Sequence, residues 1–329
     1  MHNTYSSKKE RSKHLTKIFL LLAPLMILII VFTLAPMIHT FFKSIEFFPY
    51  KSNKTIVQHN FGNYKSIWSD TRFKYAVINS TLVLFLGTSI SLVLAFVFAL
   101  MVEFLISKTV KSFVLSLIYS QFFISTFAVG IAFTIFFGSK NLFFRLIGSK
   151  YSFTSGNNRL PIWIYYVLFQ IWRSLPFNLI LIASAINRAN IKYGKQQVID
   201  NLNIWQKIRF IYIKEVATVS FAIIFTNFIF ASLLLPQALL EDTFDVDIEN
   251  AHTLTSYTIK FIGGGTKGSL EFEKGYAAAF FSFAYLVLLL VITLALRPTI
   301  IKRFIRFIQR KIAKSKSKQL LKKEVNNAS

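Results

Sequence analysis

Residues that could perform catalysis or bind a metal are few and scattered in this sequence. The chain contains no cysteine, which excludes disulfides, thiol nucleophiles and cysteine-ligated metals. No pair of its histidines has the i,i+4 spacing that places two metal ligands on one helix face. The five histidines are His2, His14, His39, His59 and His252. The sequence therefore predicts no metal site and no bound cofactor.

A glycine-rich stretch at 263–269 (GGGTKGS) has the composition of a phosphate-binding loop. A Walker A loop needs the order G-x-x-x-x-G-K-[ST] followed by a helix, whereas Lys267 precedes the last glycine. The stretch is therefore predicted to be a flexible loop. No G-x-S-x-G or H-E-x-x-H pattern occurs either. We predict that the chain is not an enzyme. If it takes part in active transport, the energy must come from another subunit.

The composition is that of an integral membrane protein. Of 329 residues, 54% are hydrophobic and only 16% are charged. A run of about 20 apolar residues crosses a hydrocarbon core about 30 Å thick. This predicts an all-α polytopic membrane protein with about six transmembrane helices, between tails at 1–17 and 297–329. The predicted spans are 18–41, 76–101, 113–137, 162–186, 216–240 and 276–296.

The distribution of Lys and Arg predicts the orientation. If the N-terminus is cytoplasmic, 24 of the 38 Lys and Arg residues lie in cytoplasmic segments and 13 in external ones. Both termini and the polar segment 187–215 are then cytoplasmic. The net charge of +24 is explained by topology and by attraction to anionic lipid, so no nucleic-acid partner is predicted. The stretch 300–314 fits either an interfacial amphipathic helix or a solvated stop-transfer anchor.

The predicted spans contain no Asp or Glu, and Glu103 lies just past the edge of one. Ion-coupled secondary transporters usually carry intramembrane acids. The absence of these acids weakens that alternative. A membrane-embedded enzyme and a channel remain as further alternatives.

The charged stretch 195–215 (KQQVIDNLNIWQKIRFIYIKE) separates two apolar spans. On a helical wheel one side is apolar and carries Val198, Leu202, Trp205, Ile208 and Tyr212. The pair at 200–201 is Asp-Asn, and Asn tolerates the left-handed region of backbone conformation. We predict a short helix, a turn and a second helix, with the apolar side packed against the protein or the membrane.

This loop resembles the cytoplasmic EAA loop of permease subunits in binding-protein-dependent ABC importers, in the maltose and glycerol-phosphate branch. Asp200 and Asn201 match the Asp and Gly of the family pattern, and Trp205 matches its Trp. Three residues replace E-A-A: Lys195, Gln196 and Gln197. Four further stretches resemble family segments in the right order: 20–45, 61–83, 171–186 and 275–297.

The resemblance implies that the loop forms coupling helices that dock into a cytoplasmic ATPase dimer, which binds the ATP. It also implies a second homologous permease subunit, an extracytoplasmic substrate-binding protein and a sugar or glycerol-phosphate-like solute.

Three residues within the spans are candidates for the translocation path. Arg173 either contacts an anionic solute or binds helix-end carbonyls. Pro176 opens the backbone ladder of its span. Asn227, like Gln170 and Asn178, either lines a cavity or forms interhelical hydrogen bonds.

Overall fold

The computed structural model describes residues 8–49, 56–105, 107–138, 140–156, 158–241, 243–263, 271–295, 306 and 309. The predicted glycine-rich loop beyond Gly263 lies outside the described residues. So do most of the stretch 300–314 and nearly all of the C-terminal tail. The N-terminal tail at 1–17 is described only from Lys8, where the first helix already begins.

The described part of the chain is mostly helical and has almost no strands, as predicted. Its α-helices are α1 (Lys8–Ile29), α2 (Ala35–Ser44), α3 (Gly62–Ser69), α4 (Thr71–Leu82), α5 (Thr88–Glu103), α6 (Lys108–Ser120), α7 (Thr126–Phe137), α8 (Leu142–Leu146), α9 (Ile162–Ile199), α10 (Ile204–Lys207), α11 (Ile213–Ser232), α12 (Leu254–Lys260) and α13 (Phe272–Ala295). One small antiparallel pair joins β1 (Glu46–Phe47) to β2 (Gln58–His59). Short π-helical turns at Ile30–Leu34, Val83–Gly87 and Ile208–Tyr212 connect successive α-helices without a break.

Five helices in the described part are long and apolar enough to cross a membrane. They are Thr16–Ser44, Thr71–Glu103, Ile162–Ile199, Ile204–Ser232 and Phe272–Thr293. The first, second, fourth and last predicted spans fall on four of these helices. The fifth, predicted at 216–240, is the helix Ile204–Ser232, which begins earlier and ends earlier than expected.

The predicted span at 113–137 is wrong as a single helix. α6 ends at Ser120, a 3₁₀ turn follows at Gln121–Phe123, and Ile124 is extended before α7 begins. Residues 121–125 include no Pro or Gly, the residues that usually mark a helix break. The mean hydropathy of a segment does not depend on the direction of its backbone, so it did not indicate the break. Two shorter apolar helices therefore replace one span.

The core at one end of the bundle is built by α5, α9 and the helix that contains α11. Ala95 and Ala99 on α5 are buried against Ile182 and Ile186 on α9. Small side chains let two helix backbones approach closely, which is the usual way that helices associate in a membrane. By contrast, the most apolar window of the helix Thr16–Ser44 is not buried at all. By its internal contacts the chain divides into two units, Met1–Phe281 and Ser282–Ser329.

Candidate functional site

The turn within the segment 187–215 has a defined backbone geometry. α9 ends just before Asp200, and Asn201 takes a left-handed φ of 45°. The Leu202 amide donates to the Gln197 carbonyl at 3.1 Å, and the Asn201 amide donates to the Val198 carbonyl at 3.2 Å. These two bonds form a Schellman motif, which closes a helix around one left-handed residue. The predicted turn is confirmed.

The second arm of the segment begins with a capping box. The Asn203 side chain accepts a hydrogen bond from the Gln206 amide at 2.9 Å, and the Gln206 side chain accepts one from the Asn203 amide at 2.9 Å. This reciprocal pair satisfies two amides that a helix start otherwise leaves unpaired. From Ile204 the chain then continues as one helix to Ser232. The turn is thus braced on both sides.

The first arm differs from the prediction. It is the end of the 38-residue helix α9 rather than a separate short helix. Hydropathy falls at Asn187, which suggested a span ending at Ile186. Low hydropathy does not by itself end a helix, and Gln197 near the end of α9 is still buried against the protein. α9 therefore runs 13 residues past the predicted end of the span and carries the first arm with it.

The predicted apolar side of the segment packs against the protein only in part, and its contact with the membrane stays a prediction. Tyr212 is buried in the core, whereas Val198 and Trp205 are each 79% exposed. The turn changes the direction of the chain, so one helical wheel does not describe both arms. Ile191 and Ile199 are also exposed. The result is a set of exposed apolar side chains on the two arms of the turn, which we call the turn surface and define as Ile191, Val198, Ile199 and Trp205.

The residues matched to the EAA loop divide into two groups. Lys195, Gln196, Asp200 and Asn201 are exposed beside the turn surface. Gln197 is instead buried, and its Nε2 donates to the Asn190 Oδ1 at 3.3 Å.

A polar network joins both arms of this segment to the rest of the bundle. The Asn190 Nδ2 donates to the Glu103 Oε1 at 2.6 Å, and the Tyr212 hydroxyl donates to the Asn190 Oδ1 at 2.9 Å. The other carboxylate oxygen of Glu103 accepts from Lys111. We call Asn190, Gln197, Tyr212, Glu103 and Lys111 the clasp. Glu103 was noticed in the sequence as an acid at a span edge, but nothing in the sequence indicated partners some 87 positions away.

A cavity of about 760 Å³ opens between α6 and α9, next to the clasp. Ser112, Ser116 and Ser120 contribute hydroxyls from one face of α6, because residues four apart lie on the same side of a helix. Lys111 belongs to both the clasp and this lining. On α9 the cavity is lined by residues that include Ser184 and Asn187. These residues were not singled out in the sequence.

Arg173 is engaged within the protein. Its Nη1 donates to the Phe230 carbonyl at 3.4 Å, and its guanidinium carbon lies 4.7 Å from the centre of the Phe230 ring. This geometry favours the structural alternative over contact with an anionic solute. Pro176 is buried nearby, and α9 continues through it to Ile199.

Buried amides connect α5, α9 and α11. The Asn178 Nδ2 donates to the Ser91 Oγ at 2.8 Å, and the Gln170 Nε2 donates to the Asn227 carbonyl at 3.2 Å. Interhelical hydrogen bonding by Gln170 and Asn178 is thus confirmed. The side chain of Asn227 is fully buried, and neither of its polar atoms has a partner within the described residues.

A charged cluster lies in the segment 243–261, which follows the helix that ends at Ser232. The Asp247 carboxylate accepts from Lys260 and lies 3.1 Å from the Nε2 of His252, and Arg72 approaches it to 3.4 Å. Burial lowers the pKa of His252, against the opposing effect of Asp247. Burial acts to raise the pKa of Asp247, but the hydrogen bonds from Lys260 and His252 outweigh it and hold that pKa below its ordinary value.

Comparisons with known proteins agree with this architecture. No protein-family model matches the sequence. A probable ABC transporter permease protein of Mycoplasma genitalium, MG188, is 24% identical over 195 residues, which is 57% of this chain. The chain matches 58% of the length of that relative.

The fold is shared with solved transporters. A chain of a bacterial ABC transporter involved in the import of the acidic polysaccharide alginate superimposes with a TM-score of 0.63 and 19% identity, over 88% of this chain and 98% of the other. A chain of a bacterial alginate ABC transporter in complex with an alginate pentasaccharide-bound periplasmic protein superimposes with a TM-score of 0.62 and 18% identity. This match covers 88% of this chain and 96% of the other.

The chain is therefore a multi-pass α-helical membrane protein with the fold of a chain in an ABC importer of carbohydrate. The predicted resemblance to the permeases of ABC importers is confirmed by these matches. The proteins that it resembles are a probable permease and transporter chains, which agrees with the prediction of a non-enzymatic chain.

Proposed function

We propose that this chain is the membrane-spanning subunit of an ABC importer and that the segment 187–215 couples it to a separate ATPase. The observation that carries the proposal is the turn surface. Trp205 and its apolar neighbours are exposed on a turn that a Schellman motif and a capping box fix in place. A rigid, exposed aromatic residue with apolar neighbours is the usual anchor of a protein interface.

The charges around the turn surface support a protein partner on the cytoplasmic side. Lys195, Gln196 and Asp200 are exposed in the same part of the chain and would supply the polar rim of such an interface. The positive charge of the segment 187–215 and of both tails favours the cytoplasmic side for the turn and for both termini. The basic tails also favour contact with anionic lipid.

The proposed assembly has four protein components besides the solute. They are this chain, a second homologous permease subunit, a cytoplasmic ATPase dimer that binds ATP, and an extracytoplasmic substrate-binding protein. The similarity to a transporter that is bound to a periplasmic protein supports the last of these.

The solute is proposed to be a sugar or a glycerol-phosphate-like molecule. The cavity between α6 and α9 is a candidate part of its path, because hydroxyls of α6 and the amide of Asn187 provide donors and acceptors there. Arg173 is occupied by Phe230 and Asn227 is fully buried. In this conformation neither contributes to that cavity, so a role for them in the path requires a different arrangement of α11.

The test is ATPase activity of the reconstituted transporter with Trp205→Ala or Asp200→Ala. Truncating a central aromatic anchor typically weakens binding by about 2 kcal/mol or more, which is roughly 30-fold. We expect both variants to insert in the membrane and to lose solute-stimulated ATP hydrolysis, the Trp205 variant by at least about tenfold. Phe113→Ala is the matched control, since it also truncates an exposed aromatic ring but lies on α6. Normal coupling in both loop variants would refute the proposal.

A further inference from the structure

Asn190 is the one residue of the clasp that contacts three of its other members. Its oxygen accepts from Gln197 in the first arm and from Tyr212 in the second, so it bridges the two arms across the turn. Its nitrogen donates to Glu103, the last residue of α5. The side chain of Glu103 is only 15% exposed, and the carboxylate also binds Lys111 near the start of α6.

The amide of Asn190 satisfies all of these contacts at once. An ionised carboxylate accepts hydrogen bonds and donates none, so the Asn190 nitrogen must face Glu103. The oxygen at the other end of the amide is then left to accept from the arms. Aspartate at this position would present an acceptor to the carboxylate of Glu103, and leucine would present neither donor nor acceptor.

The clasp also leads to the wall of the cavity. Lys111 lines the cavity between α6 and α9, and Ser112 and Ser116 follow it on α6. Contacts therefore run from the turn through Asn190, Glu103 and Lys111 to the helix that carries these serines. The contact between Asn190 and Glu103 is charge-assisted and short, and such bonds are roughly twice as strong as neutral ones.

We propose that Asn190 is a positioning residue that locks both arms of the turn to α5 and α6, so that movement of the turn surface moves the cavity wall. The inference rests on the proposed coupling of the turn to an ATPase. It adds the path by which a movement at Trp205 reaches the cavity.

The experiment measures the cavity wall directly and needs no known solute. Because the chain has no cysteine, Ser116→Cys introduces a single thiol into the cavity lining. Its rate of labelling by a charged methanethiosulfonate reagent is compared in the assembled transporter with and without ATP and vanadate. In the parent carrying only this change, we expect the labelling rate to depend on nucleotide.

Adding Asn190→Ala should reduce that nucleotide dependence by about tenfold or more, because three hydrogen bonds are lost and one of them is to a charge. Asn190→Asp should be at least as damaging, and combining it with Glu103→Gln should restore the response to within about twofold. In the double variant the side-chain nitrogen of Gln at position 103 donates to the carboxylate at position 190, which reverses donor and acceptor across the same contact. A general loss of packing does not predict this rescue.

Two further variants complete the test. Lys192→Ala is the matched control, since Lys192 pairs with Glu215 across the same two arms but is 64% exposed, and exposed pairs contribute little. It should keep the full response. If Asn190→Ala does not assemble, Tyr212→Phe removes one hydroxyl and keeps the ring, and it should reduce the response severalfold.

The inference is overturned if the assembled Asn190→Ala or Tyr212→Phe variant keeps the full nucleotide response. It is also overturned if Lys192→Ala is equally damaging or if the double exchange does not rescue. A parent protein that shows no nucleotide response at all would instead contradict the proposed function, so the two failures are distinguishable.

Discussion

Replacing Ser91 with alanine should weaken the packing of α5 against α9 by about 2 kcal/mol. Ser91 is fully buried, and its Oγ lies 2.7 Å from the Ser174 Oγ and accepts from the Asn178 Nδ2 at 2.8 Å. Ser174 also bonds the Gln170 carbonyl at 2.8 Å, so it keeps a partner. The Asn178 side chain would keep no such partner, because its Nδ2 loses the Ser91 oxygen and its Oδ1 already has no partner within the described residues.

The magnitude follows from the group that is left unpaired. An interhelical hydrogen bond in a membrane protein contributes about 0.6 kcal/mol on average. A buried donor left without an acceptor costs about 1–3 kcal/mol. Alanine at position 91 removes one oxygen and leaves both polar atoms of the Asn178 side chain without a partner. The cost of the buried unpaired donor therefore exceeds that of the lost hydrogen bond, and we expect a loss of about 2 kcal/mol.

The assay is reversible unfolding in mixed detergent micelles. Ser120→Ala is the control, since Ser120 is exposed and its hydroxyl donates to the Leu117 carbonyl one turn earlier in the same helix, and it should change stability by less than about 0.5 kcal/mol. Adding Asn178→Leu to Ser91→Ala removes the unpaired amide itself. The double variant should then lie within about 0.5 kcal/mol of Asn178→Leu alone. Equal stability of the Ser91 and Ser120 variants would refute the reasoning.

Three further predictions concern the turn, a close helix contact and the charged cluster. Asn201→Ala should destabilise the turn by about 1 kcal/mol, whereas Asn201→Gly should be neutral, because φ is positive there and glycine adopts it without strain; chemical unfolding measures both. Gly130→Ala should cost about 3 kcal/mol or more in the same assay, since its Cβ would lie 2.1 Å from the Ala238 carbonyl oxygen. The folded state lowers the pKa of His252 below its ordinary value of about 6.5, because burial disfavours the charged imidazole. The unfolded chain therefore binds a proton more readily below about pH 6.5, and the stability of the folded state declines as the pH falls below that value. The melting temperature should therefore be lower at pH 5.5 than at pH 7.5, and His252→Gln should flatten this dependence, whereas the low pKa of Asp247 acts only at more acidic pH.

The sequence predicted those features that depend on local chemistry. The turn at Asp200 and Asn201 was predictable because few residues other than glycine and asparagine adopt the left-handed conformation that it uses. The long apolar helices were predictable because lipid requires a minimum apolar length. The break after Ser120 was not, since the residues at 121–125 are ordinary ones and only the backbone changes direction there.

The contacts that make the candidate site depend on residues far apart in the sequence. Asn190 and Glu103 are 87 positions apart, and their meeting depends on how α5 packs against α9. Gln197 illustrates the same difficulty. Its place in the loop suggested an exposed docking residue, but the clasp buries it. Trp205 was predicted as an interface residue from type and position, and its exposure is consistent with that role.

The most direct test of the central claim is photo-crosslinking from the turn surface. A photoreactive amino acid is placed at Trp205 in the assembled transporter, and a second one at Trp68, which is also largely exposed but lies on α3. The account predicts a crosslink to the ATPase subunit from position 205 and none from position 68. An assembled complex that gives no ATPase crosslink from position 205, or equal crosslinks from both positions, would contradict it.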